Sequence, residues 1–391
     1  MSTNTLSFGI DRLLADPAPV LGKRIGIVTN PTGFTSDLRW SVVDALASLP
    51  GVTIGALFGP EHGVRGEVQD GLQVGNSIDP QTGAPVYSLY GETVRPRPAW
   101  LDGLDLIVYD IQDVGCRYYT YLNTLAFMME AAAEKGIPVL VLDRPDPING
   151  IDIDGPLLQP GVRSFVGNYP VPVRYALTIG EFARYLKDTA IPACDVRVVT
   201  CGNWRRHEYY DETNLPWMTP SPNLPTIDCA VIYPGMCLFE GTNLSEGRGT
   251  THPFEWVGAP WLDAEGIARE LNRRDLPAAR FRPVYFEPLY SKHKGVRCAG
   301  LQIHVTDRSR FRAFTSGLHV LDAILRRHPG EFKFLESSWE GHRPHFDLLT
   351  GDPRIRESLL AGTPVREMEG LWADELRAWG KLRRNWVLPA A

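Results

Sequence analysis

The sequence predicts an α/β protein. A Rossmann-like, doubly wound, mostly parallel sheet domain is expected at 1–213, followed by a smaller α+β C-terminal domain at 214–391. Three observations predict this. Short β-branched runs recur through the first half with helical patterns between them. That alternation fades after about residue 202. The 391 residues allow two to three domains at roughly 150 residues each.

The strand candidates of the first half are 24–29, 52–58, 85–89, 104–111, 138–142 and 196–200, which are apolar on both faces, as in a covered parallel sheet. Helical patterns lie between them. One covers 40–48 behind Asp37, a candidate N-cap. Another covers 120–135, with Leu122, Leu125, Met129 and Ala132 at helical spacing and Gly136 as its stop. A shorter helix is read at 178–186. Beyond these, 214–225 holds four prolines and reads as a fixed extended loop. Strands are expected at 228–233, 282–286 and 301–306, and helices at 261–272, 308–328, 354–361 and 372–384.

Composition narrows the function classes. Apolar residues make up 43% and charged ones 22%, as in an ordinary folded protein. Lys plus Arg is 40 against 46 Asp plus Glu, a net charge of −6, which argues against a nucleic-acid partner. No apolar run reaches the roughly 18 residues of a membrane span, so no membrane partner is expected. The six cysteines are scattered without a C-x-x-C pair and read as reduced, buried thiols. No signal peptide is visible at the N-terminus, so a cytoplasmic location is expected, or a periplasmic or secreted one if an export signal was removed. The glycine fingerprint of dinucleotide sites, the P-loop and the G-x-S-x-G elbow are all missing. No cofactor and no metal is expected; His342 and His345 read as a surface pair rather than ligands.

Ligands of open α/β sheets bind outside the carboxyl ends of the strands, so the residues following each strand are the candidates. The first strand leads into Asn30. The second ends in Gly59-Pro-Glu-His-Gly63, which places Glu61 and His62 in a Gly- and Pro-fixed turn. The fourth leads into Asp110, Gln112, Asp113, Arg117, Tyr118 and Tyr119, and the fifth into Asp143 and Arg144. The second domain adds Ser221 and Asn223 from a proline-rich loop, and Glu240, Asn243, Glu246 and Arg248 from a glycine-rich one. Lys292 lies in a basic loop able to meet an anion. Converging carboxylates, tyrosines and arginines without a metal cage suit glycoside chemistry, in which one carboxyl protonates the leaving oxygen.

Several of these segments together resemble the exo-β-N-acetylmuramidases of the NamZ type. They are Gly59-Pro-Glu-His-Gly63, Tyr109-Asp-Ile-Gln-Asp-Val-Gly115 with Arg117-Tyr-Tyr-Thr120, Leu142-Asp-Arg-Pro145, Ser221-Pro-Asn223 and Glu240-Gly-Thr-Asn-Leu-Ser-Glu-Gly-Arg-Gly-Thr250. Ser291-Lys-His293 and Phe346-Asp-Leu-Leu-Thr-Gly351 belong to the same resemblance, which runs from about Phe8 to near the C-terminus. It implies a two-domain fold with the active site in the cleft, and release of N-acetylmuramic acid (MurNAc) from the non-reducing end of peptidoglycan fragments. It also implies Glu61 as the leading catalytic residue.

For that activity Glu61 is expected to be the general acid. Asp110 or Asp113 would activate water, or the substrate's own acetamide would attack instead. Arg117, Arg248 and Lys292 are candidates for the lactyl carboxylate of MurNAc. Asn30, His62, Gln112, Tyr118, Tyr119, Asp143, Arg144, Ser221, Asn223, Glu240, Asn243 and Glu246 complete the expected substrate contacts. The competing expectation is a sugar-binding protein that holds peptidoglycan fragments without turnover.

Overall fold

The computed structural model of the chain describes residues 6–61, 63–65, 77–337 and 343–389. Helix α1 (Gly9–Ala15) precedes strand β1 (Arg24–Thr29), and α2 (Val42–Ala47) links it to β2 (Thr53–Gly59). Strands β3 (Ser77–Ile78), β4 (Pro85–Ser88) and β5 (Leu106–Asp110) follow. Helix α3 (Tyr121–Lys135) leads to β6 (Val139–Leu142), then to a hairpin of β7 (Asp154–Leu157) and β8 (Pro172–Arg174). Helix α4 (Ile179–Thr189) and strand β9 (Val196–Val199) complete this half.

Among the described residues the main sheet has seven strands in the order β3-β4-β2-β1-β5-β6-β9. All neighbours are parallel except β3 and β4. The chain steps outward from β1 to β2 and β4, then returns to the other side of β1 and steps outward through β5, β6 and β9. Such a reversal opens a crevice at the carboxyl ends of the strands. The sheet is covered on both sides because alternate residues feed two different cores. Ile107, Tyr109, Val139 and Val141 enter one cluster, whereas Val108, Leu140 and Leu142 enter the other.

Local chemistry sets the helix ends. Gly136 adopts φ of 66° and ends α3, as the sequence implies. Thr178 accepts from the Glu181 amide at 3.2 Å while Glu181 accepts from the Thr178 amide at 2.9 Å, a reciprocal cap that starts α4.

The second half begins with α5 (Ile227–Met236). A three-stranded antiparallel sheet follows, built from β10 (Trp256–Ala259), β11 (Ala279–Phe286) and β12 (Cys298–Val305), with β12 central. Helix α6 (Ala264–Arg273) packs on β11 and on α7 (Ala313–Arg327), which packs in turn on α5. The tail forms α8 (His345–Thr350), α9 (Pro353–Leu360), α10 (Val365–Met368) and α11 (Ala373–Leu382). It returns to the first half, where the Trp379 indole donates to the Tyr175 carbonyl at 3.0 Å and Arg383 donates to the Gly150 carbonyl at 2.9 Å. One apolar cluster therefore runs from Val28 to Trp386, through both halves.

The α/β class and the α+β second half agree with the sequence. The strand expected at 228–233 does not: it is helix α5, capped by the Thr226 hydroxyl on the Cys229 amide at 3.1 Å. All six cysteines are buried and free. Among the described residues no helix is long and apolar enough to cross a membrane, and no group of three or more His, Cys, Asp or Glu side chains could hold a metal ion.

Candidate active site

A cavity of about 530 Å³ lies at the carboxyl ends of β2, β4 and β5, within the roughly 300–1,000 Å³ usual for small-molecule sites. The sheet half contributes Glu61 after β2, Tyr90 after β4, and Tyr118, Tyr119 and Tyr121 after β5. The second half contributes Ser221, Tyr233, Glu240, Arg248, Phe254 and His345.

Glu61 is placed by its turn. A Cβ on Gly59 would lie 2.9 Å from the Val64 amide nitrogen, so only glycine lets the chain fold back there. The Gly63 amide then donates to the Pro60 carbonyl at 3.1 Å, closing the turn around a half-buried Glu61. The tyrosines join the two halves. The Tyr118 hydroxyl donates to the Pro234 carbonyl, and the Tyr121 hydroxyl donates to the Pro220 carbonyl at 2.7 Å. Tyr119 stands edge-on to Tyr121 and Tyr233, with ring centroids 4.8 and 5.9 Å away. Burial pushes the Tyr118, Tyr119 and Tyr233 phenols well above their ordinary values, so they remain neutral groups at physiological pH.

The opposite wall is charged. Arg248 reaches Glu240 at 2.6 Å and Glu246 at 3.3 Å, and Lys292 reaches Glu246 at 2.9 Å. Burial acts to raise the Glu240 carboxyl, but Arg248 and then Lys292 outweigh it and hold the group below its ordinary value. Glu240 is thus ionised at neutral pH. Burial pulls the His345 imidazole below its ordinary value, against the opposing pull of Glu240, and leaves it uncharged.

Six of the residues singled out from the sequence meet in this cavity: Glu61, Tyr118, Tyr119, Ser221, Glu240 and Arg248. His62 lies outside the described residues. The others do not line it. Asp110 and Arg144 form a buried pair at 2.5 Å, and Arg144 also donates to the Phe34 carbonyl. Asp113 is buried against the Tyr175 hydroxyl and the Gly115 amide, and burial pushes its carboxyl up to about 6. Neither aspartate lines the cavity.

Arg117, expected to meet the lactyl group, instead donates to four backbone carbonyls, those of Pro156, Val171, Leu349 and Thr350, at 2.7–3.0 Å. Lys292 is held by the Phe239, Glu240 and Leu244 carbonyls besides Glu246. Gln112 donates to the Asp113 and Pro145 carbonyls, and Asn30 accepts from Thr32. Asp143 accepts from Thr178 and from the Gly180 amide at the start of α4. Asn223 accepts from the Tyr290 hydroxyl, and Asn243 binds the backbone of Glu331 and Lys333. Glu246 serves the charged wall from behind.

The sequence reading missed Tyr90, Tyr121, Tyr233, Phe254 and His345. His345 is a correction: it is not a free surface residue but a half-buried one in the cavity wall. The Ser-Pro-Asn and Glu-Gly-Thr-Asn motifs flank Tyr233, and the Phe346 motif adjoins His345, so proximity to motifs was the available signal.

Comparisons with known proteins agree with this architecture. The family profile described as exo-β-N-acetylmuramidase NamZ, N-terminal, matches residues 25–228, and its C-terminal counterpart matches 231–388. The peptidoglycan β-N-acetylmuramidase NamZ of Bacillus subtilis (strain 168) is 46% identical over 382 residues, covering 97% of this chain and 90% of the relative. Two crystal structures of DUF1343 family proteins from Bacteroides fragilis superpose over nearly the whole chain. One has a TM-score of 0.90 at 35% identity, covering 99% of each chain. The other has 0.76 at 29% identity, covering 98% of this chain and 99% of its own. Since both profiles match in order and the similarity spans nearly the full length, the chain belongs to the NamZ family of exo-β-N-acetylmuramidases, which are glycosidases.

Proposed function

We propose that this enzyme removes MurNAc from the non-reducing end of peptidoglycan fragments, with Glu61 protonating the glycosidic oxygen. The observation that carries the reading is the single cavity shared by Glu61 and the Glu240–Arg248 pair. A glycosidase needs a proton donor and a stabiliser for a positively charged sugar ring. Glu61 stands at the end of β2 for the first role. Glu240, kept ionised by Arg248 and Lys292, suits the second. Arg248 is the basic side chain in the cavity wall fit to meet the lactyl carboxylate, since Arg117 and Lys292 are held by backbone carbonyls. Tyr119, Tyr121 and Phe254 supply apolar faces for the sugar.

Incubating the protein with MurNAc-β-1,4-N-acetylglucosamine and following products by proton NMR tests this reading. Release of MurNAc is expected, and the anomer formed first gives the stereochemical course. Glu61→Gln should lower turnover about 10²- to 10⁴-fold, the usual weight of a general acid. Binding of the disaccharide without release would sink the reading in favour of a sugar-binding protein. Near-normal turnover by the Glu61→Gln enzyme would remove Glu61 from the acid role.

A further inference from the structure

The loop that joins β11 to β12, residues 287–297, does not hide its apolar side chains. Leu289 is 77% exposed, Val296 46% and Tyr290 44%, and Tyr285 at the end of β11 is 54% exposed. Large apolar groups gathered on one exposed tip mark an interaction surface more often than scattered ones do.

This tip is also held stiffly. Lys292 inserts among the Phe239, Glu240 and Leu244 carbonyls and Glu246. The ring of His293 bonds the Asn243 carbonyl at 2.8 Å, and the Gly295 amide donates to the Pro288 carbonyl at 2.8 Å. Ser291 and His293 hold left-handed backbones at φ of 67° and 57°. Non-glycine residues keep that conformation only where surrounding contacts over-determine it. A connector with no role needs neither such anchoring nor such exposure.

The tip adjoins the cavity. The Leu289 amide donates to the Gly249 carbonyl at 2.9 Å, one residue from Arg248. The Tyr290 hydroxyl donates to Asn223 at 2.8 Å, two residues from Ser221. Arg248 and Ser221 both line the cavity. Two exposed cations, Lys294 and Arg297, accompany one exposed carboxylate, Glu287, and the Arg297 guanidinium lies over the Tyr285 ring at 5.3 Å.

From this arrangement we infer that the 285–297 tip is a binding ledge for the glycan strand that continues beyond the sugar being released. The inference rests on the cavity being the hydrolytic site. Aromatic and aliphatic faces suit the apolar faces of successive sugar rings, and the two cations suit the lactyl carboxylates repeated along a peptide-free peptidoglycan strand. Because Lys292 bolts the ledge to the segment that carries Glu240 and Arg248, strand binding there supports the placement of both. Binding energy from remote parts of a substrate can be used in this way at the reacting centre.

The test compares the release of terminal MurNAc from the disaccharide and from peptide-free glycan strands of at least four sugars. Wild-type enzyme is expected to show kcat/KM higher by about tenfold on the longer strands. A Tyr285→Ala/Leu289→Asp/Val296→Asp variant changes exposed positions and should keep the wild-type melting temperature and disaccharide turnover, but lose the length preference. No length preference in the wild type, or the same preference in the variant, overturns the ledge. If neither substrate is cleaved by wild type, the hydrolytic reading has failed. Calorimetric titration with the same peptide-free strands then decides: binding lost in the variant supports the ledge, and binding retained or absent in both overturns it. A ledge that binds peptide-bearing fragments but not peptide-free strands belongs to the peptide, and the glycan assignment is overturned.

Discussion

Two segments of this chain look alike in sequence and behave differently in the fold. The stretch after β5 carries Asp110, Gln112, Asp113 and Arg117, and the glycine-rich loop of the second half carries Glu240, Asn243, Glu246 and Arg248. In the first, the charged groups are all but sealed: Asp110 pairs with Arg144, and Arg117 clamps carbonyls of β7, α8 and the segment before β8. In the second, the Glu240–Arg248 pair keeps a fifth of its side-chain surface open and faces a cavity. Density of polar residues does not separate the two roles. What separates them is whether the charged side chains are sealed by buried partners or keep a face open to the cavity.

Three measurements sharpen or break this contrast. The largest expected effect is the loss of the carbonyl clamp. Arg117→Ala should cost about 3–5 kcal/mol of unfolding free energy in urea titration, because four buried carbonyls lose their partner together. Arg248→Ala should cost only about 1–2 kcal/mol. It should nevertheless lower kcat/KM on MurNAc glycosides about ten- to hundredfold, as befits one charge-assisted contact. If the two variants were equally destabilised, with activity following stability in both, the distinction would collapse.

Asp110→Asn comes next. It leaves the Arg144 guanidinium buried without its counter-charge and should cost about 3 kcal/mol, while the folded variant keeps its kcat. A thousandfold loss of kcat with unchanged stability would return Asp110 to the chemistry.

The smallest effect concerns Asp146. Burial first, and the nearby Asp113 charge as well, push its carboxyl up to about 8 against the ordinary 3.8, although Arg174 pulls the other way. The folded protein therefore binds a proton there that the unfolded chain releases. The group's contribution is complete below about 3.8 and disappears as the pH climbs towards 8. Asp146→Asn should be indistinguishable from wild type near pH 4 and more stable by roughly 1–3 kcal/mol at pH 8. Melting temperatures recorded across that range check it, and a difference that shrinks with rising pH would contradict the sign.

How far the sequence could be read follows from the same physics. β1, β2, β5 and β6 were legible because both faces of a covered parallel strand must be apolar, and the edge strand β9 from its valines, although its Arg197 is exposed. The 228–233 run is apolar too, yet Thr226 caps it as a helix, and a short buried run does not distinguish the two forms. The hairpin of β7 and β8 was missed because Asp154, Gly155 and Pro156 carry no strand pattern. In the site, Glu61, Glu240 and Arg248 were legible from motif chemistry at strand ends and in glycine-rich turns. His345 was not. Paired with His342 in the sequence it reads as surface, and only tertiary folding carries it to the wall beside Glu240.

The cavity wall also has a consequence for synthesis. Glu61 and His345 line the same cavity from opposite halves of the chain, and the clamp at Arg117 ends on the carbonyls of Leu349 and Thr350. A chain growing from its N-terminus emerges with the strands of the large sheet first, but it cannot finish its site until His345 and Thr350 have left the ribosome. A chain released before that point therefore lacks part of the cavity wall.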